Sequence, residues 1–239
     1  MDCKKLIIAT AASFMLSGAG ATVLKEVPAS PDTNSHYLFF MHGLFPEMRG
    51  ADAFHPPFNK RYETTALAKA FSEKGFSVIT EIRRQGTQIE DYAKKVGDQI
   101  KKLMDSGVSP SKIAVVGHSK GGAMTLVTSS VVGNENVSYV VLAGCALPTT
   151  KSIGNESPRE DYIRFTGKYA PTAKGRMLSL FDAEDDITKS CNEYASVATN
   201  VKFEEQELNT GSRRGLGHAI FYSPDPKWFD ITVDWLRKK

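Results

Sequence analysis

One short stretch constrains this chain more than any other. Ile113-Ala114-Val115-Val116-Gly117-His118-Ser119-Lys120-Gly121-Gly122 reads as a buried-type strand that runs into a Gly-x-Ser-x-Gly turn and on into a helix. A turn of this kind forces its serine into a strained conformation, lifts the hydroxyl off the end of a sheet and uses its glycines to let strand and helix approach closely. A serine hydroxyl is a weak nucleophile and needs a neighbouring base that a third group orients. An acid and then a histidine are therefore expected downstream.

The rest of the chain supplies a frame for such a turn. Short apolar runs at His36 to Met41, Phe76 to Thr80, Ile113 to Val116, Tyr139 to Ala143 and Met177 to Phe181 have the character of strands covered on both faces. Val201 to Leu208 alternates and reads as an edge strand. Helical patterns fall between them at Tyr62 to Glu73, Gln88 to Asp105, Gly121 to Val132 and Glu160 to Tyr169, and a last helix spans about Pro226 to Arg237. Trp228, Ile231 and Trp235 lie at core-facing spacing on it. Residues 22 to 35 read as a short extended lead-in and a loop broken by Pro28 and Pro31. The alternation predicts an α/β fold, a mostly parallel central sheet with helices on both faces, as one domain over residues 22–239. With 239 residues, 41% of them apolar, the chain can bury the core this requires.

The acid is expected in Asp182-Ala183-Glu184-Asp185-Asp186, just beyond the fifth apolar run. Asp185 has a short turn in which to reach across and is preferred, while Asp186 and Asp182 stay open; at least two of the four carboxylates must simply be solvated. Of the five histidines, His218 follows the last strand in Arg214-Gly215-Leu216-Gly217-His218, where glycines permit the turns that swing an imidazole back over the sheet. His36 and His55 lack such a setting, and His42 ends the first clear strand. His118 lies inside the Ser119 turn, with its side chain expected to point away from the nucleophile.

The order Ser119, Asp185, His218, each after a successive strand, resembles the α/β-hydrolase superfamily, and the likeness spans Leu38 to Leu236. Phe39-Phe40-Met41-His42-Gly43-Leu44 is similar to the strand and His-Gly turn that precede the oxyanion hole in that family. The resemblance implies a serine esterase or related acyl hydrolase acting through an acyl-enzyme on a small-molecule acyl substrate. Its backbone N–H groups of Leu44 and Lys120 would bind the oxyanion. It further implies a small lid over residues 145–175, where Ser157-Pro158-Arg159-Glu160 has capping-box spacing. On the helix that follows, Tyr162, Phe165 and Tyr169 share one face and either line an acyl pocket or pack the lid onto the body.

No metal or organic cofactor is expected, since neither a His-Glu-x-x-His spacing nor a Gly-rich phosphate loop is present. A net charge of +3 with charges spread along the chain gives no support to nucleic-acid binding. Arg49, Lys60, Arg61, Arg83, Arg84, Lys120, Arg213 and Arg214 read mainly as a solvated rim that also carries Glu47, Asp52 and Glu63. Lys4 and Lys5, the apolar Leu6 to Leu16 and Ala19-Gly20-Ala21 read as an export signal cleaved after Ala21. That predicts a secreted or periplasmic protein with no membrane span once the signal is removed. Loss of Cys3 with the signal would leave Cys145 and Cys191 as a pair able to form a disulfide. The competing class is a binding protein that kept the fold without turnover; within the hydrolases, thioesterase, lactonase, small lipase and peptidase share the same triad.

Overall fold

The computed structural model describes residues 22–146 and 158–238. The expected signal at 1–21, Cys3 within it and the first part of the expected lid, Ser157 included, lie outside the described residues. Seven strands form one sheet: β1 (Val23–Leu24), β2 (His36–Met41), β3 (Phe76–Ile79), β4 (Ile113–His118), β5 (Ser138–Leu142), β6 (Gly175–Asp182) and β7 (Val201–Leu208). Their spatial order is β1-β3-β2-β4-β5-β6-β7, and every pairing is parallel.

Among the described residues seven α-helices accompany the sheet: α1 (Leu44–Arg49), α2 (Thr64–Glu73), α3 (Ile89–Asp105), α4 (Lys120–Val132), α5 (Pro158–Tyr169), α6 (Asn192–Val197) and α7 (Pro226–Arg237). Successive strand residues point to opposite faces, and each face has its own core. Tyr37, Phe39, Val115 and Val141 pack with Val96, Ile100 and Leu103 of α3 and Met124 and Val127 of α4. Leu38, Phe40, Val116 and Val140 pack instead with Leu67 and Phe71 of α2 and Trp228 and Val233 of α7. Double coverage is why the inner strands β4 and β5 are buried at every position, and why they appear in sequence as unbroken apolar runs. β7 has one free edge and alternates exposed with half-buried residues along most of its length.

Helix α7 ties the chain's end to the site. Asp225 caps it by accepting from Lys227 N–H at 3.0 Å, with Pro226 at the first helical position. Buried Trp228 donates its indole N–H to the carbonyls of Ile220 and Ser223, in and just after the 3-10 turn Gly217–Tyr222. Cys145 and Cys191 are joined, with S–S 2.05 Å and Cα–Cα 5.3 Å. The bridge reinforces a small antiparallel pairing between Cys145–Ala146 and Thr188–Lys189, directly after the Asp182–Asp186 turn.

Two segments differ from expectation. The helix expected from Tyr62 begins at Thr64, because Lys60–Arg61 pairs with Phe54–His55 and draws Tyr62 into the core. Helix α5 packs sideways instead of over the strand ends. Tyr162 and Tyr169 belong to the α3/α4 core with Phe165 against it, and the Tyr169 hydroxyl donates to Glu90 at 2.9 Å. Among the described residues, no helix is long and apolar enough to cross a membrane.

Candidate active site

The end of β4 shows how the sequence builds the elbow. Ser119 has φ +54° and ψ −118°, a conformation that L-residues avoid. It is held there from both sides: Ser119 N–H donates to the Leu142 carbonyl at 2.9 Å, and Ala123 N–H donates to the Ser119 carbonyl at 3.0 Å. Gly117 and Gly121 make the tight reversal possible, since a Cβ on Gly117 would lie 2.1 Å from the Gly121 oxygen. Strain held by well-made surroundings is common where a side chain must be presented to a substrate.

The two loops beyond β6 and β7 meet beside the elbow. Gly215 and Gly217 donate their N–H groups to the Glu184 carbonyl at 2.9 and 3.2 Å. A Cβ on Gly217 would lie 2.5 Å from the Asp185 nitrogen, so only glycine permits this approach. The contact brings His218 Nδ1 within 2.9 Å of Asp185 Oδ2, with both residues buried. Asp185 also accepts from Ile187 N–H at 2.7 Å, Thr188 N–H at 3.1 Å and the Thr188 hydroxyl. Burial raises its pKa, but the His218, Thr188 and Ile187 contacts outweigh that and hold the carboxyl below its ordinary value.

The other two aspartates of the cluster are used differently. Asp182 is buried and pins loops, accepting from Glu184 N–H at 2.9 Å and from the Thr210 hydroxyl at 2.6 Å. Asp186 is exposed, 3.8 Å from Arg214 Nε.

Ser119, His118 and His218 line one cavity of about 880 Å³, within the range of small-molecule sites. Its walls are mostly apolar and come largely from one stretch of chain, including Leu44, Phe45, Met48, Phe54 and Phe58, with Ile187 from the acid loop. Leu44, Met48, Phe54 and Ile187 form an exposed apolar rim. His55 stacks on Phe45 with centroids 3.8 Å apart and pairs through Nδ1 with the Tyr222 hydroxyl at 2.8 Å, and Phe58 stacks on His218 at 6.1 Å. Of the two roles open to Tyr162, Phe165 and Tyr169, the structure has the packing one: they do not line this cavity, and the helical spacing that puts them on one face serves the α3/α4 core. The aromatic wall from 45 to 58 lies outside the residues the sequence reading singles out, although the run Phe54-His55-Pro56-Pro57-Phe58 carries a signal for it in its rings and rigid prolines.

His118 also departs from expectation. Its ring lies 4.7 Å from that of His218 and lines the cavity beside Ser119. Gly43 N–H donates to the Tyr62 oxygen at 2.8 Å, and the same hydroxyl is hydrogen-bonded to His118 Nδ1 at 2.9 Å. Burial, with the proximity of His218, holds His118 well below its ordinary pKa, and burial with the charge of Arg83 pushes His42 down to about 3.

Both histidines stay neutral in the fold at pH values where an unfolded chain would protonate them, and Asp185 stays charged below its ordinary range. Each effect leaves stability complete near neutrality and removes it as pH falls. The free energy of urea unfolding should therefore decline from about pH 6.5 downward. His42 would contribute about 1.4 kcal/mol per pH unit until pH nears 3. An unchanged unfolding free energy between pH 7 and pH 4 would contradict this.

Leu44 and Lys120 each open a helix, so their N–H groups belong to the first turn and have no intrahelical acceptor. Of the basic residues expected on the rim, only Arg49 lines the cavity. Arg83 and Glu47 are buried as an ion pair at 3.2 Å, contrary to the solvated role expected of both. Among the described residues, no group of three or more His, Cys, Asp or Glu side chains is arranged to hold a metal ion.

Sheet order, elbow and loop placement give the chain the α/β-hydrolase fold. Residues 71–171 match the phospholipase/carboxylesterase family. Acyl-protein thioesterase 1 of Emericella nidulans is 30% identical over 122 residues, which cover 50% of this chain and 46% of that one, so the chain spans about half the length of the relative it matches. Among solved structures, an esterase/lipase from an uncultured bacterium aligns with TM-score 0.55 at 12% identity over 87% of this chain and 78% of its own. A truncated carbohydrate esterase from gut microbiota aligns with TM-score 0.54 at 15% identity over 88% and 87%. An α/β hydrolase enzyme from a Medee basin deep-sea metagenome library aligns with TM-score 0.52 at 16% identity over 89% and 88%. At such identities the structural likeness speaks to fold.

Proposed function

We propose that this protein is an exported serine hydrolase that cleaves an ester or thioester of a largely apolar acyl group through an acyl-enzyme. The observation that carries the reading is the 2.9 Å contact between His218 Nδ1 and Asp185 at the cavity where the strained Ser119 is presented. Asp185 keeps the proton on Nδ1 and leaves Nε2 free to accept one from Ser119 Oγ as that oxygen attacks the acyl carbon. The N–H groups of Leu44 and Lys120 stabilise the resulting oxyanion. Return of the proton to the departing alcohol or thiol leaves the acyl group on Ser119, and water activated by His218 then releases the acid. Export agrees with the Cys145–Cys191 bridge, a bond that persists in oxidising compartments. The thioester option is favoured by the likeness to an acyl-protein thioesterase over half the chain.

A fluorophosphonate should label the wild type and leave Ser119→Ala unlabelled. Beside it, p-nitrophenyl esters of two to twelve carbons and the matching acyl thioesters should be turned over, with kcat/KM rising with chain length as the apolar wall is filled, by about fourfold per added methylene. Absence of both labelling and turnover would favour a binding protein on this fold.

A further inference from the structure

Glu47 links the two segments that carry the proposed oxyanion donors, and its surroundings are unusual for a carboxylate. Its side chain has no exposed surface, and its two oxygens meet cations from different elements: Oε2 is 3.2 Å from Arg83 Nε, and Oε1 is 2.7 Å from Lys120 Nζ. Arg83 is equally enclosed and donates through Nη2 to the carbonyls of His42 at 2.5 Å and Gly43 at 3.0 Å. His42 Nδ1–H donates to the same Gly43 carbonyl at 2.7 Å, while its Nε2 accepts from Arg83 N–H at 3.1 Å.

The Gly43 carbonyl and the Leu44 N–H belong to one peptide unit. In a trans peptide they point in opposite directions. Two donors gripping the carbonyl therefore aim the N–H the other way and, because one of them is a cation, polarise it. Glu47 sits one turn further along the helix that Leu44 opens. It fixes Arg83 on one side and, through Lys120 Nζ, holds the residue whose own N–H is the second donor. Buried charges are costly to hold, and the fold keeps two of them together here, with the partly exposed Lys120 beside them.

We propose that Glu47, with Arg83 and Lys120, is the positioning device of the oxyanion hole, setting the spacing and direction of the Leu44 and Lys120 N–H groups. This rests on the reading of Ser119 as the nucleophile. The tests are Glu47→Gln, Lys120→Met, the double variant and the charge-keeping Lys120→Arg. Lys120 is partly exposed, so its variants keep the question answerable if the buried glutamate cannot be replaced. In Lys120→Met, kcat for a p-nitrophenyl ester should fall about tenfold to a hundredfold with KM nearly unchanged. Trifluoromethyl octyl ketone, which adds to Ser119 and places an alkoxide in the hole, should lose affinity by the same factor. Methyl octyl ketone, which places no such charge, should bind as before. Lys120→Arg should recover most of the loss, and the double variant should be no worse than the poorer single one.

Wild-type kcat and trifluoromethyl ketone affinity in Lys120→Met, in a background whose wild type is labelled by fluorophosphonate, would overturn the positioning role and leave the hydrolase reading standing. A wild type that neither reacts with fluorophosphonate nor binds the trifluoromethyl ketone would overturn both.

Discussion

Asp185→Asn should lower kcat on the order of 10⁴-fold, while Asp186→Asn leaves it within about threefold. The asparagine oxygen can still accept from Ile187 and Thr188, so the turn should survive. Its NH₂ group would replace Oδ2 opposite His218 Nδ1, which must then accept instead of donate. The ring proton moves to Nε2, and the atom that should take the Ser119 proton no longer can. Asp182→Asn makes the opposite case. Asp182 touches Glu184 and Thr210 and no imidazole in the described contacts, so its replacement should cost about 1 to 3 kcal/mol of stability with kcat largely retained. Steady-state kinetics and thermal unfolding of the three variants separate the roles. An Asp185→Asn enzyme within tenfold of wild type would remove Asp185 as the orienting acid.

Gly121→Ala should destabilise the protein by about 4 kcal/mol or more, among the largest effects a single methyl can have. The added Cβ would lie 2.0 Å from the Met41 carbonyl oxygen and 2.7 Å from that of His42. Both are backbone atoms at the end of β2, so relief requires prying α4 from the sheet. Gly167→Ala is the control: a Cβ there meets nothing within 4 Å on an exposed turn of α5, and the change should add about 0.5 to 1 kcal/mol. Urea unfolding of the pair measures the contrast. A soluble Gly121→Ala protein with a wild-type midpoint would show that the elbow can yield.

The Ser119 turn and the aspartate and histidine loops that meet beside it are legible in sequence because each depends on local chemistry. A fully buried strand must be apolar at every position, the turn after it needs glycines, and a loop that swings an imidazole inward needs glycines too. The alternating run at Val201 to Leu208 betrays its edge position for the same reason. What stayed hidden depends on contacts between distant residues. Nothing near Glu47 distinguishes it from the partly exposed Glu63; its burial follows from Arg83 arriving from beyond β3, 36 residues away. Tyr162, Phe165 and Tyr169 have a spacing that fits any apolar neighbour, and only the packing of α5 on the α3/α4 side decides which. Helix α1 escaped notice because it is short and carries Pro46, which the first turn tolerates because no intrahelical bond from that nitrogen is lost.

The wall of the cavity and the proposed reacting groups have separate origins along the chain. Ser119, Asp185 and His218 come from three loops whose positions are dictated by the sheet, whereas most of the apolar lining comes from the single connection between β2 and α2. Exchanging that one connection, from Met48 to Phe58, would remake the wall of the cavity while Ser119, Asp185 and His218 stayed as they are. A fold built this way lets the lining vary while the three residues it faces stay fixed.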